Sequence, residues 1–160
     1  MLYPFNALLA RMKYITRWSL MRSTRAESLS EHTADTALLA HTLCLIGQKC
    51  TATGKSLRPE VVATAALYHD APEILTGDLP TPVKYKNDAL RTAYKAVEHE
   101  GARVMASLQP AELQAETQAW LTGSLLNDAE RKIVKAADRL SALIKCIDCL
   151  LYTSDAADDG

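Results

Sequence analysis

Apolar positions recur along this chain at spacings of three and four, and Ala and Leu dominate over runs of Val, Ile and Thr, so the pattern is helical. A first helix is expected over about Pro4–Tyr14, with proline tolerated in its first turn. Residues 16–30 are polar and basic, a loop that ends at Ser28-Leu-Ser-Glu31. That spacing is a capping box: Glu31 can reach back to the start of a second helix, which should run to about Cys50 before a turn at Gly54. Pro59 opens a third helix, with Val62, Ala65, Ala66 and His69 on one face. Ala71–Tyr85 holds Pro72, Gly77, Pro80 and Pro82 and is expected to be mostly turn and loop.

Helical pattern resumes at about Asn87–Leu108, is punctuated by Pro110, and continues to Leu121. Gly123 separates it from a last helix, about Asp128–Leu151, striped by Ile133, Ala136, Ala137, Leu140, Ile144 and Ile147. The expected fold class is therefore all-α: one bundle of about six helices with a long proline-containing loop, residues 1–151. Tyr152–Gly160 shifts abruptly to small and acidic residues without an apolar face, and is read as a non-native-looking tail.

Composition narrows the function more by exclusion than by indication. The 160 residues are 48% hydrophobic and 23% charged, ordinary for one globular domain. No stretch approaches the roughly 20 apolar residues of a membrane span, and the N-terminus lacks a secretion signal, so no membrane partner and a cytoplasmic location are expected. A formal net charge of −1 argues against a protein that coats nucleic-acid polymers. One segment is locally basic, with Arg11, Lys13, Arg17, Arg22 and Arg25 and no acid before Glu27. It is either a solvated face or an attractor for a small anion. Cys146-x-x-Cys149 lies in helical pattern without βαβ context, so Cys44, Cys50, Cys146 and Cys149 are expected to be small buried or half-buried thiols.

Four residues are candidates for a metal site: His32, His69, Asp70 and Asp138. His69 and Asp70 are adjacent, so on a continuous helix they would point about 100° apart; at a helix end they can grip one ion from two sides, and the end is expected just before Ala71-Pro72. Asp138 lies beside the apolar stripe of the last helix, where a carboxylate needs a cation; Lys135 and Arg139 are nearby, but a metal would serve better. Mixed imidazole and carboxylate donors suit one divalent transition ion such as Mn, Co, Fe or Zn. His41 should face the other side of its helix, and His99, between Glu98 and Glu100, reads as exposed; neither is taken as a ligand.

The order His32, then Tyr68-His69-Asp70, then Lys135-Ala-Ala-Asp138 resembles the H…HD…D signature of HD-domain phosphohydrolases. Arg17-Trp18-Ser-Leu-Met-Arg22, Ser30-Glu31-His32 and the run from His69 to Lys84 are similar to the bacterial 5′-deoxynucleotidases of the YfbR type, over about residues 5–150. The resemblance implies a helical, dimeric, cytoplasmic phosphomonoesterase acting on 2′-deoxyribonucleoside 5′-monophosphates. It makes His32, His69, Asp70 and Asp138 the metal ligands, with His32, Asp70 and Asp138 also facing substrate. Arg17 would orient the phosphate and Trp18 would shape the sugar pocket. Glu73 would be the acid/base residue, and Asp78, Leu79, Pro80 and Thr81 would line the nucleotide. Members of that family continue with helical structure where this chain runs into residues 152–160. Competing readings are an HD hydrolase of nucleoside triphosphates or alarmones, and a catalytically silent HD nucleotide-binding module.

Overall fold

The computed structural model describes the backbone of residues 3–158 except 53 and 85, and side chains up to residue 150. Among the described residues there is no strand, only an isolated bridge between Thr16 and Ser28. Helix α1 (Phe5–Leu9) passes into a 3-10 turn over Ala10–Tyr14, so the expected first helix tightens in its second half as the chain approaches extended Ile15. Then come α2 (Leu29–Cys50), a 3-10 turn at Gly54–Ser56, and α3 (Pro59–Tyr68). Two single-turn helices follow, α4 (Glu73–Thr76) and α5 (Thr81–Lys84), where mostly loop was expected. The rest is α6 (Asp88–Ala106), α7 (Ala111–Thr122) and α8 (Asp128–Asp158).

Local chemistry sets the ends. Ser28 accepts from the Glu31 amide at 3.2 Å and Glu31 returns a bond to the Ser28 N–H at 2.7 Å, the expected capping box of α2. A second reciprocal cap, unforeseen from sequence, starts α8: Asn127 Oδ1 accepts from the Glu130 amide and Glu130 Oε2 from the Asn127 amide, each at 3.0 Å. The same buried Glu130 carboxylate takes the Arg58 guanidinium and amide, tying the start of α3 to the start of α8. Gly123 ends α7 in the left-handed conformation that glycine adopts without penalty. α8 runs past the Leu151 end expected for it, because nothing between Tyr152 and Asp159 is Gly or Pro. The side chains of the expected tail lie outside the described residues.

α2 is the central helix, packed mainly on α3 and α8. Two apolar clusters flank it. One joins Phe5, Met12, Leu29, Ala71, Ile74, Ala102, Met105 and Leu121; the other joins Ala37, Ala40, Cys44, Val62, Ala65, Ala66, Leu126 and Ala137. Of the stripe expected on α8 only Ala137 is buried, with Ile133 and Leu140 half-buried. Ala136, Ile144 and Ile147 are exposed because no described element covers them. Of the thiols, Cys44 is buried and Cys149 half-buried, but Cys50 and Cys146 are exposed, contrary to expectation, since they sit on the outer faces of α2 and α8.

Candidate metal centre and substrate arm

Each candidate ligand lies within one turn of a core residue along the chain. His32 lies on α2 between Leu29 of one cluster and Ala37 of the other; His69 and Asp70 fall between Ala66 and Ala71; Asp138 follows Ala137. The site therefore forms at the seam between the clusters. α3 ends at Tyr68 with His69 as its cap, so the adjacent pair does sit at a helix end. One donor atom from each of His32, His69, Asp70 and Asp138 lies within 4.8 Å of all the others. His32 Nε2 is 3.1 Å from Asp138 Oδ1 and 3.5 Å from Asp70 Oδ2, and His69 Nε2 is 3.1 Å from Asp70 Oδ2.

The orientation of the imidazoles fits a cation. His69 Nδ1 donates to the Ala66 carbonyl oxygen at 2.6 Å, which leaves Nε2 as a lone-pair donor, buried and without a hydrogen-bond partner. His32 is fully buried, with Nδ1 3.2 Å from Ser141 Oγ and Nε2 turned to the carboxylates. Charge says the same. Burial acts to raise both aspartates, but the imidazoles beside them prevail and hold Asp70 and Asp138 below the usual carboxylate range. Burial acts to lower His69, yet the Asp70 carboxylate overcomes it and pushes the imidazole up to about 9. The cluster thus favours a positive charge at its centre, and two imidazoles with two carboxylates suit a divalent transition ion. Lys135 and Arg139, the alternative counter-ions, are exposed, while Asp138 takes His32 as its partner. His41 is absent from the cluster and His99 is exposed.

Beside the ligands lies Glu73, one turn on, its amide donating to the Asp70 carbonyl at 2.9 Å. Its side chain is buried; Oε2 has no partner and Oε1 is 3.8 Å from Lys84 Nζ, itself 2.8 Å from Glu98. Burial pushes Glu73 up to about 8, with Asp70 adding to the shift and Lys84 offsetting part of it. The carboxyl is thus poised to hold or release a proton near neutral pH.

The basic segment divides. Arg11, Lys13, Arg22 and Arg25 are exposed, a solvated face, whereas Arg17 is buried. Its Nη1 reaches Glu27 at 3.3 Å, its Nε has no partner, and its charge is felt at Asp70. Trp18 is half-buried and has a left-handed backbone, φ 57°, which costs a non-glycine residue roughly 1–2 kcal/mol. Its amide donates to Asp78 Oδ2 at 2.9 Å, so Asp78 holds the backbone on which the indole stands. Gly77, at φ 75°, allows the reversal that brings Asp78 there. Leu79 and Pro80 follow half-buried, and Thr81 is exposed at the start of α5. Sequence reasoning missed Ser141, Glu27, Lys145 and Lys84. Two of them carried a signal, since Ser141 and Lys145 follow Asp138 at i+3 and i+7 on one face of α8.

The model of the family described as 5′-deoxynucleotidase YfbR-like matches residues 4–152. The chain belongs to the YfbR-like family. A YfbR-like relative, 5′-deoxynucleotidase VP0926 of Vibrio parahaemolyticus, is 44% identical over 144 residues, 90% of this chain and 73% of that protein. In fold, the chain is similar to an HD-domain phosphohydrolase from Listeria innocua, with a TM-score of 0.79 and 23% identity over 91% of this chain and 68% of that one. It is also similar to a cyanophage S-2L HD phosphohydrolase bound to dA and one catalytic zinc ion, with a TM-score of 0.59 and 22% identity over 85% and 66% of the two chains.

Proposed function

We propose that this YfbR-like chain is a divalent-metal-dependent phosphomonoesterase that cleaves 2′-deoxyribonucleoside 5′-monophosphates to deoxynucleoside and phosphate. The observation that carries the reading is the convergence of His32, His69, Asp70 and Asp138, with the buried carboxyl of Glu73 one turn beyond. The name of the 44% identical relative supports the substrate class. A metal ion held by the four residues supplies Lewis acidity and positive charge at the phosphate. Co, Mn, Fe or Zn all match the donor set, and the cyanophage enzyme of similar fold uses zinc.

The chain's own residues do the rest. Arg17 offers its partnerless Nε and remaining guanidinium hydrogens to phosphate oxygens, a planar fork matched to that group. Glu73 moves a proton between the attacking water and the departing 5′-oxygen as the P–O5′ bond breaks and a P–O bond to water forms. Trp18 stands against the sugar, and a 2′-hydroxyl pressed on an indole loses water without gaining a partner. Asp78, Leu79, Pro80 and Thr81 form the wall on the nucleotide side. A homodimer is part of the proposal, supported by exposed Leu38 and Ile46 on α2 and Leu143 and Ile147 on α8. So is a cytoplasmic location, which suits a chain whose cysteines form no disulfide among the described residues.

The deciding experiment is phosphate release from matched deoxy- and ribonucleoside monophosphates, triphosphates included, across Mn, Co, Fe and Zn and with chelator. Metal-dependent release confined to deoxy monophosphates is expected. Equal rates on both sugars, or release only from triphosphates, would replace the reading with another HD hydrolase.

A further inference from the structure

The best-buried lysine of α8 has no part in the metal cluster. Lys145 is only 9% exposed, although lysine normally keeps its ammonium in water. Its Nζ lies 4.6 Å from the ring centroid of Trp18, within cation–π range, and 3.0 Å from Glu27 Oε2. The same Glu27 oxygen receives Arg17 Nη1 at 3.3 Å. One carboxylate atom therefore holds both the arginine of the substrate arm and the ammonium that covers the indole next to it. Glu27 is itself fixed: its carbonyl accepts from the Arg17 amide at 2.9 Å, and Ser28 after it caps α2.

An ion pair this enclosed is a poor way to gain stability, since an apolar side chain of similar volume would fill the space without the desolvation cost. Its distinctive property is direction. The helix register puts Lys145 two turns beyond Asp138 on the same face, with Ser141 between them supporting His32. The helix that presents a metal carboxylate thus also presents the contact that orients Trp18. Without it, the indole stands on a left-handed residue whose backbone is held by the Asp78 bond and by the Met21 amide on its carbonyl, neither of which touches the ring.

We propose that Glu27 and Lys145 are positioning residues for sugar selection. Glu27 fixes the Arg17 guanidinium, and Lys145, bridged to the same oxygen, takes one face of the Trp18 indole so that the other meets the sugar. The proposal rests on the reading that Arg17 takes the phosphate and Trp18 meets the sugar.

The test uses the metal-loaded protein in a Trp120→Phe background, which leaves Trp18 as the only indole. Lys145→Met should change Trp18 emission and raise its quenching by acrylamide, with bound metal unchanged. The deoxy-over-ribo ratio of kcat/KM should fall about tenfold, between the effects of an exposed and a desolvated cation–π contact. Lys145→Arg should restore both readouts. Glu27→Gln, which keeps side-chain volume, should raise KM for the deoxynucleotide more than it lowers kcat, because Arg17 loses its anchor. Unchanged emission in Lys145→Met, or unchanged KM and selectivity in Glu27→Gln, overturns the proposal. Trp18→Ala, measured alongside, separates the two layers. If it abolishes the preference while Lys145→Met does not, the Lys145 assignment fails alone. If it leaves the preference intact, the reading of Trp18 fails with the selectivity role of Lys145, and the emission change then marks a purely structural contact.

Discussion

His32, His69, Asp70 and Asp138 project from helices or a helix end beside fully buried core residues, whereas Arg17, Trp18 and Asp78 project from loops tied down by a few polar contacts. The first group inherits its positions from packing, which is dense and changes little without a large energetic cost. The second depends on individual bonds, and Trp18 carries backbone strain as well. On the proposed reading, chemistry common to many phosphohydrolases sits on the rigid part, and discrimination among substrates on the part that single substitutions can move.

The largest effect should come from the rigid side. Asp138→Ala or His69→Ala is expected to reduce activity to background and weaken metal binding by more than the roughly 10–100-fold lost when only a supporting group is removed. His41→Ala should do neither. Metal analysis of the purified variants checks this, and equal metal loss in the His41 variant would remove the ligand assignment.

Glu73→Gln is next, with kcat expected to fall by about 10²–10⁴-fold while metal and nucleotide stay bound. The same variant has a stability signature in chelator-treated protein. Glu73 titrates at about 8 when folded and from an ordinary 4.5 when unfolded, so the folded state binds the extra proton between those values. Wild-type stability should therefore decline relative to Glu73→Gln as pH rises from about 4.5 to 8. Melting curves at both ends of that window should nearly coincide at the acid end and separate at the alkaline end, with the glutamine protein the more stable. A gap that opens toward acid would contradict the burial argument.

On the loop side the effects should be smaller and selective. Trp18→Ala is expected to remove a deoxy preference of up to about 100-fold, the ceiling for an apolar wall facing an added hydroxyl. Asp78→Ala should remove part of it, since a single hydrogen bond contributes about 1 kcal/mol. Paired kcat/KM values decide both; loss of metal in either variant would mean that the two regions are not separable. Smallest of all, Cys50→Ser and Cys146→Ser should shift stability by no more than about 0.5 kcal/mol, because both thiols are exposed. Chemical denaturation measures that directly.

The legibility of the sequence follows the same division. The helices could be read because period, caps and prolines are local signals, and the capping box at Ser28–Glu31 forms as its spacing implies. The four candidate ligands could be located because His69-Asp70 falls at a helix end and Asp138 beside an apolar stripe. What could not be read depends on contacts distant in sequence. Glu27 and Lys145 meet across 118 positions, and the Asp78 bond to Trp18 spans 60. The single-turn helices α4 and α5 escaped because one turn has no period to detect. The exposure of Ala136, Ile144 and Ile147 on the α8 stripe escaped because periodicity says which face is apolar and not whether anything covers it.

The seam between the two apolar clusters has a thermodynamic consequence. Donors from α2, from the end of α3 and from α8 meet there, so an ion bound to all of them draws on contacts that only the folded chain can assemble. By mass action, each tenfold rise in free ion above its dissociation constant adds about 1.4 kcal/mol to the folded state. On the proposed metal-dependent reading, ion supply would act as a rheostat on how long the protein survives as well as on how fast it works. Scarcity would thin the population of molecules before it slowed the survivors.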